Sequence, residues 1–400
     1  MDHPYSRTGL VSFAQAPAPT PAPVRVRVRV WARVLAQTLA LVALPVGASH
    51  AADSIVIGRS LPLSGPLKGY GEAKRDGADA YIAQVNNAGG VKGKTITLIT
   101  LDDEYQAPKL VANLRQMAKE NSPTAFLGLF GVPTVAAALP VIAELKIPAV
   151  GLTSGTAAVR APFNPYVFPV RASYADEARK LVTHVKTVGA VRISVIFTDN
   201  PFGDSVKNTL MEALKKDGLT ATEFKLDAAA KTAPEVVQKV LAGAPQTVFM
   251  AMLSPAAVPV IREIKKAGPG TLLYTFSPVD TTVVLKELGA GAGGLSISQV
   301  VPIPAGSRVP VVLDYVKALQ VLGRGTPSFY GLEAFIEARV LVEGLRRASG
   351  TSQSSALITA LETMHDWNAG GYFVSYKPKL HQGGNFVEID VIDSAGILRR

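Results

Sequence analysis

The 400-residue chain contains no cysteine. That excludes disulfides, zinc–thiolate sites, iron–sulfur clusters and cysteine nucleophiles together. Histidine is scarce as well. The three beyond residue 52, His184, His365 and His381, are far apart, and none pairs with another at metal-ligand spacing. No G-x-S-x-G elbow occurs, and no histidine lies in a loop expected at a site, so a serine hydrolase lacks its base. Runs of like charge are missing too. Bases come singly or in pairs such as Lys215-Lys216 and Lys265-Lys266, each closing a helix where cations suit the dipole. Such a pattern describes a solvated surface and does not imply nucleic acid. An enzyme is disfavoured and no cofactor is expected.

The first 51 residues differ from the rest. A Pro/Ala-rich stretch is followed by Arg25, Arg27, Arg29 and Arg33, then by the apolar run Val34–Val46, then by small residues up to Ala51. That is the order of a secretory signal, and the run is short of the ~20 residues a membrane helix needs. Cleavage is expected near Ala51, with the chain exported. The segment holds five of the 41 basic and one of the 31 acidic side chains, so its removal lowers the formal net charge from +10 to +6.

What remains is 48% hydrophobic in overall composition and reads as α/β throughout. Ser54–Arg59 is a β-branched run, the mark of a buried strand. A loop with two prolines follows, then a helix carrying Ala78, Tyr81, Ile82 and Val85 at helical spacing, then strand Thr95–Leu101. Strand–loop–helix–strand is a βαβ unit, whose ligands bind at the carboxyl ends of strands. The alternation continues through helix Ala107–Lys119, strand Thr124–Leu129, helix Val135–Leu145 (with a kink or break at Pro140) and strand Ile147–Gly151. A proline-rich passage at 161–169 breaks the rhythm. A second series of equal regularity runs from helix Ala175–Val188 to strand Leu295–Val300. Long helices at Val311–Val321 and Phe329–Ala348, a shorter one at Ser354–Met364, and strands Gly371–Ser375 and Asn385–Ile392 complete the chain. Two doubly wound parallel-sheet lobes joined by several crossings are expected, with a cleft between them.

Two glycine-rich stretches mimic nucleotide motifs. Ala88–Thr95 fits a loose phosphate loop, and Gly289–Gly294 fits G-x-G-x-x-G. Both stand before a strand, whereas a phosphate loop follows one and opens a helix. They read as turns. Asp102-Asp103-Glu104 offers acids at a strand end, more simply taken as caps for the helix from Ala107.

Leu63-Ser-Gly-Pro66, Tyr70-Gly71, Gly89-Gly90-Val-Lys-Gly93, Leu101-Asp-Asp103, Pro133-Thr134, Ile147-Pro148 and Arg171-Ala-Ser-Tyr174 follow one another in this order. Together they resemble the branched-chain amino-acid-binding (Leu/Ile/Val-type) periplasmic receptors of ABC importers, over about residues 53–395. The resemblance implies a type I periplasmic-binding fold with crossings near Arg171, Gln299 and Ser375. Lobe one would be residues 52–171 plus 299–374, and lobe two residues 172–298 plus 375–400. It also implies a site. Tyr70 covers the ligand side chain, Gly131, Val132 and Thr134 with Thr153, Ser154 and Gly155 form two loops for a carboxylate, and Phe202 stands where the second lobe usually carries tyrosine. The family's ammonium-binding glutamate follows strand Thr271–Phe276. Here that loop reads Ser277-Pro-Val-Asp280, so Ser277 or Pro278 occupies the place, and Asp280 substitutes only if the loop shifts.

The resemblance therefore implies capture of a small carboxylate-bearing apolar or aromatic solute, with a hydrophobic amino acid as the alternative. A monomer in the periplasm would deliver it to an inner-membrane ABC permease driven by separate ATPase subunits. The ligand-binding subunit of a sensory receptor shares the fold and is the second functional class. A transcriptional regulator shares it too, but needs an amino-terminal DNA-binding helix-turn-helix that the leader lacks.

Overall fold

The computed structural model describes residues 54–268, 270–304, 306–350 and 353–400. The signal and cleavage expected within residues 1–51 lie outside the described residues. Among the described residues no helix is long and apolar enough to cross a membrane.

The first lobe opens with β1 (Ile55–Leu61), α1 (Lys68–Asn87), β2 (Ile96–Asp102), α2 (Ala107–Asn121), β3 (Ala125–Leu127), α3 (Val132–Leu145), β4 (Ala149–Val150) and β5 (Val167–Phe168). These strands form one parallel sheet in the order β2-β1-β3-β4-β5. Alternate side chains face opposite ways, as a strand dictates. Ile55, Ile57, Ala125, Leu127, Val150 and Phe168 join one core. Phe126, Ala149 and Val167 join another, against Leu110 and Leu114 of α2 and Val135 and Ile142 of α3. Both faces are covered, which is why these strands read as nearly continuous apolar runs.

The chain then builds α4 (Tyr174–Thr187), β6 (Ile193–Thr198), α5 (Pro201–Lys216), β7 (Ala221–Leu226), α6 (Ala233–Ala242), β8 (Thr247–Ala251), α7 (Ser254–Lys266), β9 (Leu272–Thr275), α8 (Thr281–Leu288) and β10 (Leu295–Gln299). It returns to the first lobe as α9 (Pro310–Leu322), α10 (Phe329–Arg347) and α11 (Ser354–Leu361). Strands β11 (Trp367–Asn368), β12 (Phe373–Lys377), β13 (Leu380–Gly383), β14 (Glu388–Ile392) and β15 (Leu398–Arg399) end it. The second sheet runs β15-β14-β10-β9-β8-β6-β7. Its strands β6 to β10 are parallel, and β14 and β15 are added antiparallel. Its two faces carry separate cores, one under α6 and α7, the other under α4 and α5.

The structure departs from expectation at three places. The proline-rich passage ends in a strand, β5, only two residues long and too short to leave a periodic signal. Pro140 lies inside α3 without ending it. The third crossing is not at Ser375. Strands β11, β12 and β13 form their own antiparallel sheet, and the β12–β13 hairpin is tied to the edge of the first sheet. Tyr376 Oη donates to the Pro169 carbonyl over 2.8 Å, His381 Nδ1 lies 2.8 Å from the Val167 carbonyl, and the Gly384 amide donates to the Val170 carbonyl. The chain joins the second sheet only at Glu388. A short polar hairpin carries no periodicity that would say which sheet it leans on.

Candidate functional site

The carboxyl ends of the two sheets face each other, and the side chains gathered there come from helix N-terminal turns more than from loops. Proline at N1 or N2 starts α3, α5 and α7, because its missing N–H has no intrahelical partner at that position. Val132 and Thr134 therefore stand in the first turn of α3, Phe202 in the first turn of α5 and Tyr70 in the first turn of α1. The sequence reading had placed all of them in loops.

On the first-lobe side, Tyr70 packs among Leu61, Leu67, Phe130 and Tyr330 in a small cluster of their own. Its ring centroid lies 4.8 Å from that of Tyr330 and 5.4 Å from that of Phe130, and Tyr105 lies 5.7 Å from Phe130. Gly131 precedes α3 with φ +100°, a conformation suited to glycine, and a Cβ there would strike the Tyr105 ring. The two expected carboxylate loops are laced together: the Gly131 amide donates to the Thr153 carbonyl and the Thr153 amide to the Leu129 carbonyl.

Their hydroxyls are not equally free. Thr134 Oγ1 donates back to the Phe130 carbonyl. Thr153 Oγ1 accepts from Lys74 Nζ and lies 3.2 Å from Glu337 Oε1. Lys74 and Glu337 are themselves a buried ion pair at 2.8 Å. Both threonine hydroxyls are thus engaged in holding the protein. Ser154 Oγ, fully buried, has no hydrogen-bond partner among the described residues. Gly155 carries the close approach of Tyr174, whose amide donates to its carbonyl over 2.8 Å.

The second sheet contributes Tyr174, Phe202, Ser254, Phe276, Ser277 and Asp280. Tyr174 stands edge-on to both Phe202 and Phe276, and Val132 of the opposite lobe packs into the same cluster. The lobes also meet through hydrogen bonds. The Tyr70 hydroxyl lies 2.7 Å from Ser254 Oγ and 3.1 Å from the Pro278 carbonyl, and accepts from the Ser254 amide. The Tyr330 hydroxyl reaches the same Pro278 carbonyl at 3.2 Å. Burial pushes the Tyr70 phenol well up, and the nearby Asp280 carboxylate adds to it.

Asp280 does not shift toward the place of an ammonium partner. It is the N-cap of α8, its carboxylate accepting from the Thr282 amide at 2.8 Å while its own amide donates to Ser254 Oγ. Burial raises its pKa. Ser277 is held in turn by Glu177 and Arg171: its amide and hydroxyl donate to the Glu177 carboxylate over 2.9 and 3.0 Å, and its Oγ accepts from Arg171 Nη2.

Sequence reasoning assigned no binding role to Arg171, Glu177, Glu333, Tyr330, Tyr105, Phe130 or Ser254. Arg171 is buried at the first crossing, 3.0 Å from Glu177 and 3.7 Å from Glu333. Burial alone would lower its pKa, but Glu333 and Glu177 hold it above the ordinary value. Glu177 is raised by burial, against Arg171 and the hydroxyls of Ser298 and Ser277. Asp102 and Asp103 cap no helix. Asp102 accepts from the Leu63 and Glu104 amides, and Asp103 from Ser60 Oγ and the Tyr105 amide, so they pin the loops after β1 and β2. Among the described residues no group of His, Asp or Glu has the arrangement of a metal site.

Known proteins share this architecture. A periplasmic binding protein family model matches residues 54–389. A Leu/Ile/Val-binding protein homologue of Brucella melitensis is 23% identical over 332 residues, 82% of this chain and 88% of its own length. An amino acid binding protein of Pseudomonas aeruginosa is 24% identical over 77% of this chain and 82% of its own. Among solved structures, a substrate-binding periplasmic protein from Ralstonia solanacearum superposes with a TM-score of 0.80 at 30% identity, covering 86% of this chain and 99% of that one. An extracellular ligand-binding receptor from Verminephrobacter eiseniae gives 0.81 at 26% identity, covering 87% and 100%. The paired α/β lobes, their shared seam and these matches agree: the chain belongs to the periplasmic binding protein family, of Leu/Ile/Val-binding type.

Proposed function

We propose that this protein captures a small solute bearing a carboxylate and an apolar or aromatic body, in the periplasm, and passes it to an ABC permease with separate ATPase subunits. One observation carries the choice of solute. The seam is walled by Tyr70, Tyr105, Phe130, Tyr174, Phe202 and Tyr330, while the loop after β9 offers a proline carbonyl and a capped Asp280 in place of a free carboxylate. Aromatic walls suit an apolar body. An ammonium left without a partner in a buried site costs several kcal/mol, so hydrophobic amino acids enter this class only if another residue meets their amino group.

Binding needs no chemistry on the solute. The second lobe closes over it, and closure is favoured to the extent that the closed state binds more tightly. Thermal unfolding of the purified chain with a panel of aromatic carboxylates, hydrophobic amino acids and sugars tests the reading. A ligand at 100 times its Kd adds ~2.7 kcal/mol of stability. The expected result is a rise with carboxylates of apolar body; a rise with sugars alone would overturn it.

A further inference from the structure

Three side-chain atoms along the seam are buried with no hydrogen-bond partner among the described residues: Ser154 Oγ, Arg171 Nε and Glu333 Oε1. Their residues are 0%, 1% and 3% exposed. Buried polar groups are normally paired, so each such atom calls for an occupant. The three belong to one neighbourhood. Arg171 Nη1 lies 3.7 Å from the other oxygen of Glu333. The Arg171 guanidinium stands 5.6 Å from the centroid of the Tyr174 ring. That ring packs on Gly155, the residue after Ser154. One turn along α10 from Glu333, Glu337 reaches Thr153, the residue before Ser154.

Their chemistry is complementary. A guanidinium Nε–H can only donate, an ionised carboxylate oxygen can only accept, and a serine hydroxyl does either. The other groups of Arg171 are in use: Nη2 bonds Glu177 and Ser277, and Nη1 faces Glu333. A plain carboxylate would satisfy Arg171 Nε and Ser154 but would leave Glu333 Oε1 unanswered.

We infer that Arg171, Ser154 and Glu333 form a polar subsite that grips a carboxyl group carrying an N–H or O–H donor on the neighbouring carbon. The carboxylate accepts from Arg171 Nε–H and Ser154 Oγ–H, and the adjacent amine or hydroxyl donates to Glu333 Oε1. The acceptor that the second sheet lacks after β9 is thereby supplied from α10, on the opposite lobe. The subsite rests on the functional reading above and adds to it which solutes are preferred.

Three probes sharing one skeleton separate the possibilities: phenylalanine, 3-phenyllactate and 3-phenylpropionate differ only in bearing an amine, a hydroxyl or hydrogen beside the carboxylate. Calorimetric titration of the whole chain should rank phenylalanine or phenyllactate at least about tenfold tighter than phenylpropionate, the scale of one well-made buried hydrogen bond. Glu333→Gln should erase that difference with little change for phenylpropionate, and Ser154→Ala should weaken all three alike. If the probes bind without discrimination, or if Glu333→Gln weakens all three equally, the subsite is wrong and the general reading stands. If the wild-type chain binds none of the three, the functional reading falls and takes the subsite with it. The wild-type ranking decides the matter even where a variant does not fold.

Discussion

The hydroxyl of Tyr70, on the first helix of one lobe, lies 2.7 Å from the Oγ of Ser254, on the first turn of a helix of the other. The same hydroxyl is within 3.1 Å of the Pro278 carbonyl. This contact exists only while the lobes are shut, so it belongs to the closed state and to no other. Tyr70→Phe keeps the ring in its aromatic cluster and removes the bond. A buried neutral hydrogen bond contributes about 1 kcal/mol, so the variant should bind its solute roughly fivefold more weakly. Small-angle scattering should show a larger radius of gyration for the unliganded variant than for wild type. Unchanged affinity and dimensions would mean that the contact does not hold the lobes.

Lys74 and Glu337 form a buried ion pair beneath the loop of Thr153, and the Glu337 carboxyl is pushed up to about 7 by burial, against the pull of Lys74. Lys74→Met leaves that carboxyl alone, and breaking such a pair costs about 3–5 kcal/mol. Urea denaturation at pH 8 should show a loss of that order. The loss should shrink as pH falls, because a carboxyl without its cation escapes the penalty by taking up a proton. The double variant Lys74→Met, Glu337→Leu should recover much of the stability at pH 8.

Asp390, on β14, is wholly buried with neither carboxyl oxygen partnered among the described residues, and burial raises its pKa to about 7. In the unfolded chain the same carboxyl titrates at about 3.9. Between these values the folded state binds more protons than the unfolded one, so stability falls as pH rises from about 4 to about 7. Asp390→Asn removes this share of the slope. The variant should match wild type near pH 4 and exceed its Tm at pH 8; equal Tm values at pH 8 would show that the carboxylate finds a partner.

Gly77 of α1 lets that helix approach α10 so closely that a Cβ would collide with the Gly331 carbonyl oxygen. A backbone atom cannot rotate aside, so Gly77→Ala must push the helices apart. Overpacking of this kind costs about 1–3 kcal/mol, a drop in Tm that calorimetry would register. Gly65→Ala is a useful contrast: φ is +72° there but nothing lies within 4 Å of the added Cβ, so only backbone strain is lost.

Much of the fold was legible in the sequence because both sheets are covered on both faces. Strands such as β6 and β8 are buried at every position, and such runs announce themselves without an alternating pattern. The site was legible only in part. Tyr70, Phe202 and Ser154 do stand at the seam, but the threonines beside them are engaged within the protein. Hydrogen-bond commitment is a matter of what folds next to a hydroxyl, and Lys74 and Glu337 are 79 and 184 residues from Thr153. Glu333 and Arg171 escaped notice for a related reason. On a long helix such as α10 a charged residue reads as solvent-facing, and only the tertiary structure shows that a guanidinium from a distant crossing meets it.

The antiparallel pair β14–β15 has a consequence for how the molecule comes to exist. The second sheet takes its last two strands from residues 388–399, while the first core waits for α10 and the hairpin that follows. Neither half is a continuous piece of polypeptide, so neither can finish folding from a nascent or truncated chain. A ribosome must release nearly the whole message before either sheet is complete, and a chain cut just before Glu388 would lose an edge of the second half while keeping every residue of the first.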